Sequence, residues 1–195
     1  MEVTTLSFSN IHEHGALFSN VLRARHENFI TRNQWDLPQA DGMEFDQYDT
    51  PASRWVAVHH NGQVMAGVRL TPTTHRCGIY SYMIKDAQDG LLETIPTNLL
   101  WETAPIGPHI WESSRVFVSR HVPARERMIV QMKLGCEMVN AAREVGATSL
   151  LGIVPDASRR LSRRFGIVCD PAGPIMDFDG VDCVCVNIAL ATKMH

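Results

Sequence analysis

The chain has 195 residues, 45% of them apolar and 20% charged, and a formal net charge of −3. That length suits one domain with a full core, and the near-neutral balance gives no general pull toward nucleic acid or an anionic membrane. No stretch nears the about 18 apolar residues of a membrane-crossing helix, the opening MEVTTLSFSN lacks a secretion signal's basic start and apolar run, and Cys77, Cys136, Cys169, Cys183 and Cys185 show no CxxC spacing, so a reduced, cytoplasmic protein is expected.

In chain order, Ser9 or Asn10 is placed to cap a helix running to roughly residue 28, with Leu17, Val21, Leu22, Arg25 and Phe29 at helical spacing. Residues 31–50 contain Pro38 and Gly42 and no periodicity, which predicts a long loop of the kind that closes over a site. Asn61-Gly62 separates two alternating runs and predicts a hairpin of strands near 54–60 and 63–71. Residues 72–108 read as irregular, with a short helix near 86–93, and residues 109–119 as a strand. A helix should follow Pro123 to about Val145, with Met128, Val130, Met132, Leu134, Met138 and Val139 on its apolar side. TSLLGIV reads as a buried strand, DASRRLSRRFG as a helix with an Asp cap and a Gly stop, and VDCVCVNIAL as a last strand. The expected class is mixed α/β with one central sheet and a single domain over residues 1–195.

The strand HIWESSRVFVSR is apolar yet carries Glu112 and Arg115, and unpaired charges there would be costly. Arg25 and Arg69 also stand at structured positions, and Asp46 and Asp49 lie in the long loop. One reading is separate surface ion pairs, each worth ~0–1 kcal/mol. The other is a single network of Arg25, Arg69 and Arg115 with Asp46, Asp49 and Glu112 around a zwitterionic ligand. The apolar neighbours of Arg69 and Arg115 favour the network. Strict alternation puts Glu112 and Ser114 on one face and Arg115 on the other, so they meet in one site only if a bulge intervenes. Phe29 and Trp35 either anchor the loop or form an aromatic wall for a flat or cationic ligand. Arg159, Arg160, Arg163 and Arg164 form like-charged i,i+4 pairs, a solvated face or a dock for an acidic partner. His59-His60, His109, His121 and Cys183/Cys185 match no closed zinc spacing, and no nucleophile elbow or phosphate loop is present.

Arg25-x3-Phe29-x5-Trp35, Asp46-Gln47-Tyr48-Asp49, Arg69 and Trp111-Glu112-Ser113-Ser114-Arg115 together resemble the signature of acyl-homoserine lactone synthases, the bacterial autoinducer synthases. The signature covers about residues 20–120, and the last third matches only in layout. The resemblance implies an αβα sandwich akin to GNAT-type acetyltransferases. It implies transfer of an acyl chain from acyl-acyl-carrier-protein, or acyl-coenzyme A in some members, to the amine of S-adenosylmethionine. Lactonisation then releases 5′-methylthioadenosine. S-adenosylmethionine is a substrate in this chemistry, and no separate cofactor, metal, nucleic acid or membrane is expected.

On this reading Glu112, or a water held by Asp46, takes the proton of the ammonium. Backbone N–H groups, with Arg115 or Ser114, meet the oxyanion. Arg69 or Arg25 pairs with the substrate carboxylate or fixes Asp46 and Asp49, and Phe29 and Trp35 wall the adenosyl and sulfonium region. Phe117, Leu151 and Ile153 are the expected acyl lining, with Met128, Met132 and Met138 as further candidates. The basic helix would receive acidic carrier protein. Members making 3-oxo products tend to carry a threonine where Gly152, Val154 or Pro155 falls here, which argues against a 3-oxo donor. The rivals are an acetyltransferase using acetyl-coenzyme A, disfavoured by the glycine-free SRHVPARERM junction, and a binding module that retains S-adenosylmethionine without turnover.

Overall fold

The computed structural model describes residues 1–163 and 166–190. Nine strands are present among them: β1 (Glu2–Leu6), β2 (Gln39–Ala40), β3 (Met43–Glu44), β4 (Arg54–His60), β5 (Gln63–Pro72), β6 (Ile110–Val118), β7 (Ser149–Pro155), β8 (Cys169–Phe178) and β9 (Val181–Ala189). The α-helices are α1 (Leu17–Arg25), α2 (Met83–Gln88), α3 (Ala124–Glu144) and α4 (Asp156–Ser162). Seven strands form a mixed sheet in the order β1-β4-β5-β6-β7-β9-β8, and β2 pairs with β3 alone. The expected mixed α/β class is therefore correct.

The chain divides into two compact units, residues 1–70 with 115–141 and residues 71–114 with 142–195. In the first, β1 pairs antiparallel with β4, and β4 with β5. Asn61 and Gly62 both take positive φ, +50° and +78°, as the twist of a two-residue hairpin demands. Leu6, Leu17, Val21, Phe29, Trp55, Ala57, Val64 and Phe117 make this unit's core. In the second, β6 runs parallel to β7, which pairs antiparallel with β9, and β9 with β8. Its apolar cluster contains Tyr82, Ile84, Ala87, Leu99, Ala104, Leu151 and Cys185.

Several expectations need correction. The helix foreseen over residues 10–28 is a 3₁₀ turn (Ile11–Glu13), then α1, then a π-helix (His26–Arg32). The long loop contains the β2–β3 hairpin. The short helix starts at Met83, earlier than foreseen. Met128 and Met132 are 55% and 40% exposed, so the apolar side of α3 is Val130, Leu134, Met138 and Ala141. Asp156 is the first residue of α4 and makes no side-chain cap; it pairs with Arg159 and Arg160 instead. β1 and β8 were not foreseen. In β8, Pro171, Gly173 and Pro174 read as breakers, but an edge strand tolerates proline because one row of its N–H groups has no ladder partner to lose.

Candidate active site

Three arginines and three carboxylates of the first unit close into a ring. Arg25 Nε donates to Glu44 Oε2 at 2.5 Å, and its two terminal nitrogens to Asp49 Oδ1 and Oδ2 at 2.7 and 2.9 Å. Asp49 Oδ2 also lies 3.1 Å from Arg69, which grips Asp46 through two nitrogens at 2.5 and 3.2 Å. Asp46 Oδ2 meets Arg115 at 2.8 Å, and Arg115 Nε returns to Glu44 Oε1 at 3.1 Å. Charge alternates around the circuit and sums to zero. Bidentate, charge-assisted contacts of this kind offset the cost of burying ions that single contacts would not. Arg25, Arg69 and Glu44 are 1%, 0% and 0% exposed, so that cost is real here.

Burial alone would raise the carboxyl of Asp49, but Arg69 and Arg25 hold it well below the usual carboxylate range. Asp46 is likewise opposed by burial and held low by Arg69 and Arg115. The backbone N–H of Asp46 and the indole of Trp55 also donate to Asp49, at 2.9 and 2.8 Å. These bonds fix the segment after β3 onto the ring.

Each member is delivered by a different piece of local structure. Arg25 ends α1, Glu44 ends β3, and Arg69 lies in β5. Arg115 lies in β6 with φ +54°, a left-handed residue inside a strand. The irregularity does not bring Glu112 into the ring with Arg115, whose acid partners are Glu44 and Asp46. The four residues before Arg115, Trp111, Glu112, Ser113 and Ser114, are all buried in succession, as in a strand of a parallel pair covered on both faces.

Of the six charges grouped in the sequence, Arg25, Arg69, Arg115, Asp46 and Asp49 meet in this ring, and Glu112 bonds to Met83 and Ile84. The third acid of the ring is Glu44, not Glu112. Glu44 is not among the residues singled out from the sequence. Its spacing of two from Asp46 in an extended stretch was the available signal, because such residues share a face.

Phe29 and Trp35 stack with ring centroids 5.3 Å apart and planes 7° from parallel. The π-helix carries Phe29, and the Trp35 N–H donates to the Phe29 carbonyl at 3.0 Å. The Arg115 guanidinium carbon lies 5.7 Å from the Phe29 ring centre, and Phe117 meets that ring edge-on at 5.9 Å. Phe29 thus stands beside the ring of charges with Arg115 as a cation–π neighbour, and Trp35 stacks on Phe29.

The remaining candidates, apart from Phe117, belong to the second unit. Glu112 is fully buried, and its Oε2 and Oε1 accept the backbone N–H groups of Met83 and Ile84 at 3.2 and 2.7 Å. Ser114 is buried as well. Leu151 is in this unit's apolar cluster and Ile153 packs against it, whereas Phe117 is in the core of the first unit. Burial and the nearby Glu112 push the Cys185 thiol up to about 12, so it stays protonated and is no nucleophile near neutral pH. Among the described residues no His, Cys, Asp and Glu grouping is arranged to hold a metal ion, and no helix is long and apolar enough to cross a membrane.

On α4, Arg159 and Arg160 pair with Asp156 at 2.7 and 2.9 Å. The Arg160 side chain is still 71% exposed. Arg163 is exposed, and Arg164 lies outside the described residues.

A family model for autoinducer synthases matches residues 9–173. An acyl-homoserine-lactone synthase of Ralstonia nicotianae is 34% identical over 163 residues, which are 80% of this chain and 74% of the relative. The crystal structure of TofI in a ternary complex with an inhibitor and MTA matches with a TM-score of 0.76 at 26% identity, over 97% of this chain and 92% of that one. An acyl-CoA N-acyltransferase from Pseudomonas aeruginosa shares the fold at 12% identity and a TM-score of 0.60, over 97% of this chain and 99% of that one. The expected likeness to acyltransferases of the GNAT type thus holds at the level of fold.

Proposed function

This chain belongs to the autoinducer synthase family and is an acyl-homoserine-lactone synthase, and we propose how its residues carry that reaction. The substrates are S-adenosylmethionine and an acyl thioester, and the products are N-acyl-homoserine lactone and 5′-methylthioadenosine. The observation that carries this reading is the closed ring of charges with the stacked Phe29–Trp35 pair at its side. A zwitterionic sulfonium compound needs fixed charges of both signs and an aromatic face, and the first unit holds both.

Arg25 and Arg69 are spent on Glu44, Asp46 and Asp49, so their part is to hold those acids in place. Arg115, with a 10% exposed side chain, is the most accessible arginine of the ring and faces the substrate. The Phe29–Trp35 wall takes the adenosyl and sulfonium part. The sulfonium charge disfavours the nearby ammonium, so a water beside Asp46 suffices to take its proton. The freed amine attacks the thioester carbonyl. Backbone N–H groups where Arg115 turns left-handed, with Ser114, stabilise the oxyanion. The C–S bond of the thioester breaks, and the departing sulfur takes up a proton. The methionine carboxylate then displaces methylthioadenosine from the carbon beside the sulfonium, closing the lactone ring. Holding the carboxylate near that carbon is the main requirement.

Leu151 and Ile153 line the acyl chain, and the absence of a side chain at Gly152 fits an unsubstituted or 3-hydroxy donor. Acyl carrier protein is the proposed donor, met by the exposed Arg160 and Arg163 of the basic segment, with acyl-coenzyme A as the alternative. The free cysteines are in keeping with a reducing, cytoplasmic setting.

The test is incubation of the purified protein with S-adenosylmethionine and acyl donors of several chain lengths, on carrier protein and on coenzyme A. The expected result is lactone and methylthioadenosine in equal amounts. Donor consumption without methylthioadenosine would mean a different amine acceptor. Retention of S-adenosylmethionine with no turnover would mean a binding module.

A further inference from the structure

We propose that Glu112 is a positioning residue: it anchors the first turn of α2 and thereby shapes the acyl-chain lining, and it does not take the proton of the ammonium. The inference rests on the synthase reading above and concerns one residue within it.

A helix begins with N–H groups that have no partner inside it. The N-cap of α2 is Tyr82, and it offers no side-chain acceptor. Glu112 supplies one from β6, 28 residues further along the chain, through Oε1 on the Ile84 N–H at 2.7 Å and Oε2 on the Met83 N–H at 3.2 Å. Both carboxylate oxygens are therefore at work on the backbone of α2. Asp86 completes the arrangement, since its two oxygens accept the Ser81 N–H at 3.1 and 2.9 Å. The turn over residues 81–86 is thus pinned at both ends by carboxylates.

What it pins is apolar. Tyr82 and Ile84 are fully buried and share a cluster with Leu151 and Cys185, against which Ile153 packs. The β6–β7 register sets Glu112 opposite Leu151. The phenol of Tyr82, pushed up by burial and then by Glu112, marks the same neighbourhood. Releasing the turn shifts Tyr82 and Ile84 against Leu151, the residue proposed to meet the acyl chain. The effect should fall on donor binding and chain selection.

The experiment uses the full chain with Glu112→Gln and Met83→Pro, each assayed across short, medium and long acyl donors and across pH. Proline is tolerated at the first position of a helix and demands an extended residue before it, and Tyr82 is extended at φ −131° and ψ 155°. Met83→Pro therefore removes one of the two donors and, through its ring Cδ, pushes Glu112 Oε2 off the turn while residue 112 stays a glutamate. The expected result is a rise of roughly tenfold in KM for the preferred donor in both variants, with chain-length preference broadened. The acid limb of the pH–rate profile should stay in place. A general base instead predicts a fall of about 10²–10⁴ in kcat for Glu112→Gln, with the acid limb lost and chain preference kept. That outcome overturns the proposal, as does a Met83→Pro enzyme with unchanged donor KM and preference. If Glu112→Gln does not fold, Met83→Pro decides alone. Wild-type protein that makes no methylthioadenosine fails the synthase reading itself, a result distinct from these.

Discussion

Arg115 and Glu44, 71 residues apart in the chain, are joined Nε to Oε1, and Glu44 gives its other oxygen to Arg25. One buried carboxylate therefore holds the end of α1 and the left-handed residue of β6 together. Glu44→Ala removes both links and leaves two guanidinium groups short of a partner. The expected loss is about 3–5 kcal/mol of stability, read from urea denaturation. Glu44→Gln keeps acceptor capacity and should lose less. Equal stability of wild type and the alanine variant would show that the ring carries no structural burden.

Acid should weaken this ring. Burial works against the charges of Asp46 and Asp49, but the arginines overcome it and hold both below the ordinary carboxylate range. A group lowered in the folded state contributes stability that is complete above its unfolded value of about 3.9 and is lost as the pH falls below it. Urea midpoints should thus be flat down to roughly pH 5 and drop steeply below pH 4. Asp49→Asn should be less stable at neutral pH and show a shallower acid drop.

Gly152 faces Ser113 across the β6–β7 pairing, and a Cβ added there would lie 2.6 Å from the Ser113 Oγ and 3.2 Å from its carbonyl oxygen. Gly152→Ala should cost about 1–3 kcal/mol by forced displacement. Ser113→Ala removes the closer of the two atoms. The double variant should recover part of the loss, and a thermodynamic cycle would measure the coupling. Additive losses would mean that the carbonyl contact dominates.

The aromatic pair should divide by role. Phe29 is buried and Trp35 is half-buried. Phe29→Ala is expected to lose about 3–5 kcal/mol of stability. Trp35→Ala is expected to fold and to raise KM for S-adenosylmethionine with the donor KM little changed. A Trp35→Ala enzyme with normal KM for S-adenosylmethionine would remove this ring from the binding wall.

Charge reversal on α4 separates the two donors. Arg160→Glu should lower kcat/KM for an acyl-carrier-protein donor by about tenfold or more at low salt and leave acyl-coenzyme A turnover nearly unchanged. Equal effects on both donors would point to coenzyme A phosphates on this surface.

The sequence made the ring partly legible because charged residues in apolar surroundings announce a partner. Arg69 and Arg115 stood among β-branched and aromatic neighbours, and Asp46 and Asp49 came with a specific spacing. Glu44 offered only its spacing of two from Asp46, and the link from Glu112 to α2 was not foreseen because its carboxylate accepts backbone N–H groups, which no side-chain pattern reveals. Regular elements with turn chemistry of their own, such as the Asn61-Gly62 hairpin, were placed to within a residue or two. The π-helix was not, since its sequence carries the same apolar spacing as an α-helix. Nor was β8, whose prolines are compatible with a strand only at the rim of a sheet.

The positive φ at Arg115 sets a backbone conformation that L side chains rarely adopt in the middle of β6. A substitution there therefore probes the main chain as well as the charge. Arg115→Ala removes the guanidinium and keeps the unfavourable conformation, whereas Arg115→Gly removes the guanidinium and relieves it. The difference in stability between the two isolates what the backbone costs at the residue that bears the charge.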